Sequence, residues 1–359
     1  MPGPPQVRLG WHPIWSVLGV ALLLSTAVIA IGAVVRAPYV VFAPGSAIDT
    51  EPIISTPGTE AFEDDGEVLF LTVSLRGASQ RVGYGEAALG WLRGDEDVFP
   101  RDAILGGQTG DESREQSLQE MTVSQEVAAK VALEHLGYEV ASRGRGAVVT
   151  STVPGSPAAT DLRPGDVIVA VDGTDIDLDS QLRGELDGRE PGDQVALSVD
   201  RGGSEDPVDV TTRLIADPDG SDRALLGVSV FTRDLSFDLP FTVRIDTNDV
   251  GGPSAGLALT LGLIDHLTPG SLTGGQVIAT TGTMDPDGRV GVVGGVAQKA
   301  AAAIGAGARL ILVPESEADE ARAHAGDVTV VGVATLDDAL EALTDIGGNA
   351  DELDRDGGP

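Results

Sequence analysis

Residues 14 to 35 read IWSVLGVALLLSTAVIAIGAVV, an unbroken run without one charged side chain. A helix of this length spans a bilayer core of roughly 30 Å, and it pairs its backbone polar groups internally, as hydrocarbon requires. Trp11, Trp15 and Tyr39 stand near its ends, where interfacial aromatics belong. The apolar part of a cleaved secretory leader is usually only about 7–15 residues long, so the run reads as an uncleaved anchor. Arg8 and the N-terminal amine stand on one side and Arg36 on the other. That bias is weak; the expected topology is a cytoplasmic tail at 1–13, a transmembrane helix at 14–35 and the body outside the cell membrane.

The body is acidic. A formal net charge of −33 argues against nucleic acid, whose phosphates need a basic surface. With no cysteine, disulfides, thiolate metal sites and cysteine nucleophiles are excluded together. The four histidines, at 12, 135, 266 and 324, form no HExxH-like pair, so no metal or other cofactor is expected. No GxxxxGK[ST] loop is present, which removes the usual nucleotide site. At 359 residues the chain has room for two domains.

Residues 36–64 hold Pro38, Pro44, Pro52 and Pro57 and end in an acidic run, which reads as a membrane-proximal linker. GEVLFLTVSL (66–75) reads as a buried strand. YGEAALGWLRG suggests a short helix, and 115–136 a longer one closed by Gly137. Four stretches rich in β-branched residues follow between 146 and 215. After 216, strand and helix patterns alternate, the mark of one α/β or α+β domain. The acidic, glycine-rich end, 346–359, reads as a disordered tail.

Two residues stand out chemically. Ser254 lies in Gly252-Pro253-Ser254-Ala255-Gly256, where small neighbours let a substrate backbone approach and the following helix offers free N–H groups to an oxyanion. Its hydroxyl needs a base. His324, downstream with aspartates between, would make a Ser-His-Asp esterase. The other candidate is Lys299. Of 23 basic residues only Lys130 and Lys299 are lysine. Lys130 has Glu126 and Glu134 one turn either way, the signature of a solvated ion pair. Lys299 stands among alanine and glycine with no carboxylate within a turn. Desolvation there would lower its pKa and free an amine to accept a proton, which arginine cannot do.

Pro154-Gly155-Ser156-Pro157-Ala158, Leu162-Arg163-Pro164-Gly165-Asp166 and Val171-Asp172-Gly173 resemble the motifs of bacterial PDZ domains, over 140–216. The resemblance implies an extended peptide bound by strand addition; Arg143, Gly144, Arg145 and Gly146 are the candidate carboxylate loop. Residues 251–313 resemble the proteolytic domain of Lon proteases. The serine motif matches at 252–256, and a second motif at Thr281-Gly282, Gly288-Arg289-Val290 and Gly294-Gly295-Val296-Ala297-Gln298-Lys299. That resemblance implies a Ser254–Lys299 dyad with Thr281 orienting the lysine. Thr283 departs from the acidic residue usual after Thr-Gly, which puts a role for that acid in doubt.

The strand at 66–75 and the helix ending near 136 resemble the start of the same domain. The implied fold class is α+β: a Lon-type proteolytic domain in two parts, 65–139 and 217–345, with a β-rich PDZ domain inserted at 140–216. The layout resembles membrane-anchored, PDZ-containing Lon-like serine proteases of bacteria. It implies an ATP-independent endopeptidase acting on flexible or unfolded protein or peptide substrates, membrane proteins among them. A homo-oligomer is expected by analogy with Lon rings. A membrane adaptor without catalysis is the competing reading.

Overall fold

The computed structural model describes residues 13–62, 65–202, 206–217 and 223–350. The expected tail at 1–13 falls almost wholly outside them, as does the end from 351. Helix α1 is Pro13–Val34. Several of its side chains lie outside the described residues, and among the described residues no helix is long and apolar enough to cross a membrane. Strand β1 (Tyr39–Asp49), strand β2 (Glu67–Arg76), helix α2 (Tyr84–Leu92), strand β3 (Asp97–Pro100) and helix α3 (Gly110–His135) follow. Helix α3 begins one turn before the hydrophobic pattern suggests. Thr109 and Glu112 form a capping box there, the Glu112 N–H donating to Thr109 Oγ1 at 3.2 Å and the Thr109 N–H to Glu112 Oε2 at 2.7 Å.

The stretch expected to be a linker is largely a strand. β1 pairs antiparallel with both β2 and β3, and Val40 and Val41 are fully buried. Proline suggested a loop, but Pro44 sits where the β1–β2 register shifts, a bulge that needs no ladder N–H. Thr72 of β2 fills that bulge: its Oγ1 accepts from the Ser46 N–H at 2.8 Å and donates to the Ser46 carbonyl at 3.0 Å.

The chain forms two compact units, Gly137–Phe241 being inserted into the other. In the inserted unit β4 (Ala147–Thr152), β5 (Val167–Val171), helix α4 (Asp179–Leu186), β6 (Gln194–Asp200), β7 (Val208–Arg213) and β8 (Val228–Thr232) succeed one another. The strands form an antiparallel sheet in the order β7-β6-β5-β4-β8. This unit reaches 241, beyond the expected 216, because β8 returns to pair with β4 and Ser236–Asp238 pairs with Ala141–Arg143.

The first unit resumes with α5 (Gly256–Leu267), β9 (Val277–Thr280), α6 (Val296–Gly305), β10 (Leu310–Pro314), α7 (Ala318–His324) and β11 (Thr329–Val333). Its sheet runs β11-β10-β9-β2-β1-β3, with β11, β10, β9 and β2 parallel. Central strand β2 reads as a continuous apolar run because both faces are covered. Phe70 packs with Met121 and Ala128 of α3 and Ala258 and Leu259 of α5. Leu71 points the other way, onto Val296 and Ala300 of α6 and Ala321 of α7. The first residues of the expected tail are also ordered: Gln276 Nε2 donates to the Ile346 carbonyl at 2.7 Å, and Asn349 Nδ2 to that of Pro269 at 2.8 Å.

Candidate active site

Ser254 is the middle residue of a 3-10 turn, Pro253–Ala255, that feeds α5. Gly252 before it has φ +92°, a backbone region that side chains with a Cβ rarely enter. The turn is clamped to α3 twice. The Gly252 N–H donates to the Ser117 carbonyl at 2.7 Å, and Ser124 Oγ donates to the Pro253 carbonyl at 3.2 Å. Small residues serve packing as well as access here. A Cβ on Gly256 would lie 2.6 Å from the Met284 nitrogen, whereas one on Gly252 would meet nothing within 4 Å. Ala255 is buried in the Phe70 and Met121 cluster.

Beyond the end of β9, Thr281 and Gly282 strap the serine turn from the other side. The Gly282 N–H donates to the Ser254 carbonyl at 3.0 Å, and the buried Thr281 hydroxyl donates to the same carbonyl at 3.3 Å. Thr281 thus orients the serine backbone; its hydroxyl oxygen keeps lone pairs with which it can also accept. Half-buried Ser254 borders a cavity of about 260 Å³ whose apolar walls include Phe70, Leu71, Val73, Met121 and Val250.

Lys299 lies in the first turn of α6, on the opposite face of the sheet from α5. It is 2 % exposed. Two cavity residues are also neighbours of its helix: Leu71 packs with Val296 and Ala300, and a Cβ on Gly295 would stand 2.7 Å from Val73 Cγ1. Gly295 caps the helix in the left-handed region, φ +70°, and next to the lysine Gln298 Nε2 donates to Asp97 Oδ2 of β3 at 2.8 Å. Burial lowers the Lys299 pKa to about 8, while the charge of Glu317 works in the opposite direction.

Helical spacing around Lys299 gives no sign of Glu317. It stands in the turn after β10, 18 residues beyond the lysine, and reaches the same sheet end because β10 runs parallel beside β9. Its carboxylate accepts from the Val293 N–H at 3.1 and 3.3 Å, two residues before the Gly295 cap. Burial raises its own pKa.

The described histidines are elsewhere. His324 is exposed at the end of α7. His266 is at the far end of α5, about 15 Å along the axis from its start, and its Nε2 is 3.2 Å from Thr56 Oγ1. His135 ends α3. Lys130 corrects the expectation of a solvated lysine: it is 8 % exposed, donates to the Pro286 carbonyl and pairs with Glu134 at 2.7 Å. Both lysines of the chain are interior groups.

Residues 247–344 match the family model of the Lon protease (S16) C-terminal proteolytic domain. The chain carries a Lon-type proteolytic domain. Among curated proteins it is similar to the archaeal Lon protease of Archaeoglobus fulgidus, 30% identical over 107 residues, which are 29% of this chain and 17% of that protein. The chain therefore spans less than a fifth of that relative's length. Residues 134–212 match the PDZ domain model, so the inserted unit is a PDZ domain. Solved structures similar to that part include the PDZ domain of an SdrC-like protein from Listeria monocytogenes, 23% identical over 24% of this chain and 87% of that one, TM-score 0.22. A solution structure from Geobacillus thermodenitrificans is 28% identical over 24% of this chain and 97% of that one, TM-score 0.21. Within the Lon-type match fall Ser254, Thr281, Lys299 and Glu317.

In the PDZ domain, the loop at 143–146 is occupied with its own fold. Arg143 Nε donates to Asp238 Oδ2 at 2.6 Å. A Cβ on Gly144 would lie 2.4 Å from the Asp177 carbonyl. The Arg145 and Gly146 N–H groups donate to the carbonyls of Arg233 and Asp177, both at 2.9 Å. β8, by contrast, is an edge strand whose one sheet neighbour among the described residues is β4. Its partly buried Val228 and Val230 pack on the same core as Leu182 and Leu186 of α4, and at its far end Thr232 Oγ1 donates to Asp179 Oδ1 at 2.6 Å. Leu225-Leu226-Gly227, with Gly227 at φ +78°, leads into this edge. The sequence signal was present as an apolar-glycine-apolar turn, but it stood outside the expected PDZ boundary.

Proposed function

We propose that this chain is an ATP-independent serine endopeptidase, anchored in the cell membrane by α1 with both domains outside the cytoplasm, in which Ser254 and Lys299 form a catalytic dyad. The observation behind the dyad is a lysine 2 % exposed inside a Lon-type domain, its pKa lowered to about 8, on a helix that packs against walls of the serine's cavity. With that pKa about a tenth of the amines are neutral at pH 7, against fewer than about one in a thousand for an ordinary lysine. The amine takes the hydroxyl proton as Ser254 Oγ adds to the peptide carbonyl. The resulting ammonium gives that proton to the leaving nitrogen as the C–N bond breaks, leaving an acyl-enzyme. Water then attacks the ester, the amine again accepting a proton and returning it to Oγ. Backbone N–H groups of the serine turn are the candidate oxyanion donors.

The cavity beside Ser254, walled by Phe70, Leu71, Met121 and Val250 together with Thr72 and Asp249, is the candidate pocket for the side chain next to the scissile bond. Without a nucleotide-driven unfolding step, substrates are flexible or unfolded segments near the bilayer. The PDZ domain selects them, or restrains the protease, by pairing an extended peptide with the open edge of β8.

Cleavage of casein by the detergent-solubilised chain tests the assignment. Ser254→Ala and Lys299→Ala each abolish it, and His324→Ala does not. Full activity in Lys299→Ala would rule out the dyad, and a wild-type chain that cleaves nothing would favour the adaptor.

A further inference from the structure

Helix α2 is amphipathic in the wrong sense for a helix on a water-facing protein. Its inner face is small: Ala87 is 1 % exposed, and a Cβ on Gly90 would lie 2.9 Å from Val98 Cγ2. Its outer face carries Tyr84, Ala88, Leu89, Trp91 and Leu92, spaced to form one stripe. Tyr84 is 47 %, Leu89 55 %, Trp91 61 % and Leu92 82 % exposed. Trp91 meets Tyr39 of β1 edge to face, ring centroids 5.4 Å apart, but the stripe stays largely exposed all the same, and leaving it in water costs stability.

The place of the stripe identifies what covers it. The Tyr84 N–H donates to the Val35 carbonyl at 3.2 Å, Arg36 bridges to Gly83, and a Cβ on Gly32 would lie 3.5 Å from the Gly85 nitrogen. α2 therefore starts where α1 ends, and a cleft of about 840 Å³ joins them, bordered by Gly32, Arg36, Tyr84, Leu89 and Leu92. In a chain with a net charge of −33, exposed Arg36 and Arg81 sit together at this junction, Arg36 Nη1 donating to the Arg81 carbonyl at 3.0 Å. A tyrosine, a tryptophan and arginines beside an apolar stripe match the headgroup layer of a bilayer.

We infer that α2 is a second membrane contact: its outer stripe lies in the interfacial layer, parallel to the bilayer surface, beside the point where α1 leaves it. This rests on the membrane-anchored reading above. Two contacts would hold the Lon-type domain at a set rotation about α1.

The chain has three tryptophans, at 11, 15 and 91, so a single reporter is accessible. The full chain carrying Trp11→Phe and Trp15→Phe is placed in nanodiscs of phosphatidylcholine brominated either near the carbonyl end or near the methyl end of its acyl chains. Trp91 fluorescence is expected to be quenched about twofold or more by the shallow label, less by the deep one, and to resist iodide. A companion chain with Trp11→Phe and Trp91→Phe reports Trp15. If Trp15 is quenched and Trp91 stays iodide-accessible, the second contact is wrong and the anchor stands. If neither is quenched by lipid, the anchor fails and takes the contact with it. Blue-shifted Trp91 emission that lipid does not quench, and that reddens on dilution to one chain per disc, would assign the stripe to a second copy instead.

Discussion

Glu317 and Val293 are joined by a backbone-to-carboxylate contact that ties the turn after β10 to the loop entering the lysine helix, at 3.1 and 3.3 Å. The same carboxylate opposes the lowering of the Lys299 pKa. Removing the charge while keeping an acceptor for Val293, in Glu317→Gln, lowers the Lys299 pKa further. If the proposed dyad operates, the acidic limb of the kcat/KM profile for an unstructured peptide moves to lower pH. A limb that stays in place, or moves up, would show that Glu317 does not act on the base.

The wild-type limb has a defined position of its own. In the proposed dyad neutral Lys299 is the competent form, so kcat/KM should rise with pH and level off above about 8. Lys299→Arg removes this limb with the activity, because a guanidinium stays protonated. A plateau reached well below pH 7 would point to a different base.

Burial of Lys299 has a stability cost with the opposite dependence. Its folded pKa of about 8 lies below the ordinary lysine value of 10.5, so the unfolded chain binds more protons and stability rises with pH between these values. Below about pH 8 the cost is fully present. Lys299→Met should stabilise the domain at pH 7, by at most on the order of 3 kcal/mol, and the gain should shrink toward pH 10.5. Denaturant melts at pH 7 and pH 10 measure it; a destabilised Met variant at pH 7 would contradict the sign.

Lys130 should answer differently. It holds the Pro286 carbonyl and Glu134, so Lys130→Met leaves acceptors unmatched and costs about 1–3 kcal/mol. Its pH–rate limb should coincide with that of the wild type. One lysine substitution that stabilises beside one that destabilises would be seen directly in paired melts.

For the PDZ domain, a peptide with a free C-terminus titrated into the labelled chain should shift amide resonances of β8, α4 and Leu225–Gly227. Residues 142–146 should respond weakly, since the Arg145 and Gly146 N–H groups already donate within the domain. Shifts concentrated at 142–146 would restore the loop read from the sequence.

What the sequence made legible was local. Ser254 announces itself through small neighbours, Lys299 through the rarity of lysine and the alanines around it, and α3 through its periodicity. What escaped depended on pairing between distant segments. Pro44 suggested a loop because a bulge looks like one until its partner strand is known. Glu317 and β8 entered their sites through parallel or returning strands whose order no spacing encodes. Lys130 looked solvated because two glutamates flank it, although the group that buries it comes from the hairpin around Pro286.

Only four residues, 35 to 38, separate helix α1 from strand β1, and β1 is locked against β2 through Thr72, itself a wall of the serine's cavity. The Lon-type domain therefore has no leash. If α1 is held in a bilayer and the chain cleaves as proposed, Ser254 stands at a height set by the dimensions of the domain, and a substrate would be cut where its own flexible stretch passes that height. The enzyme would measure distance from the membrane as a ruler does, with the position of the cut recorded in its products.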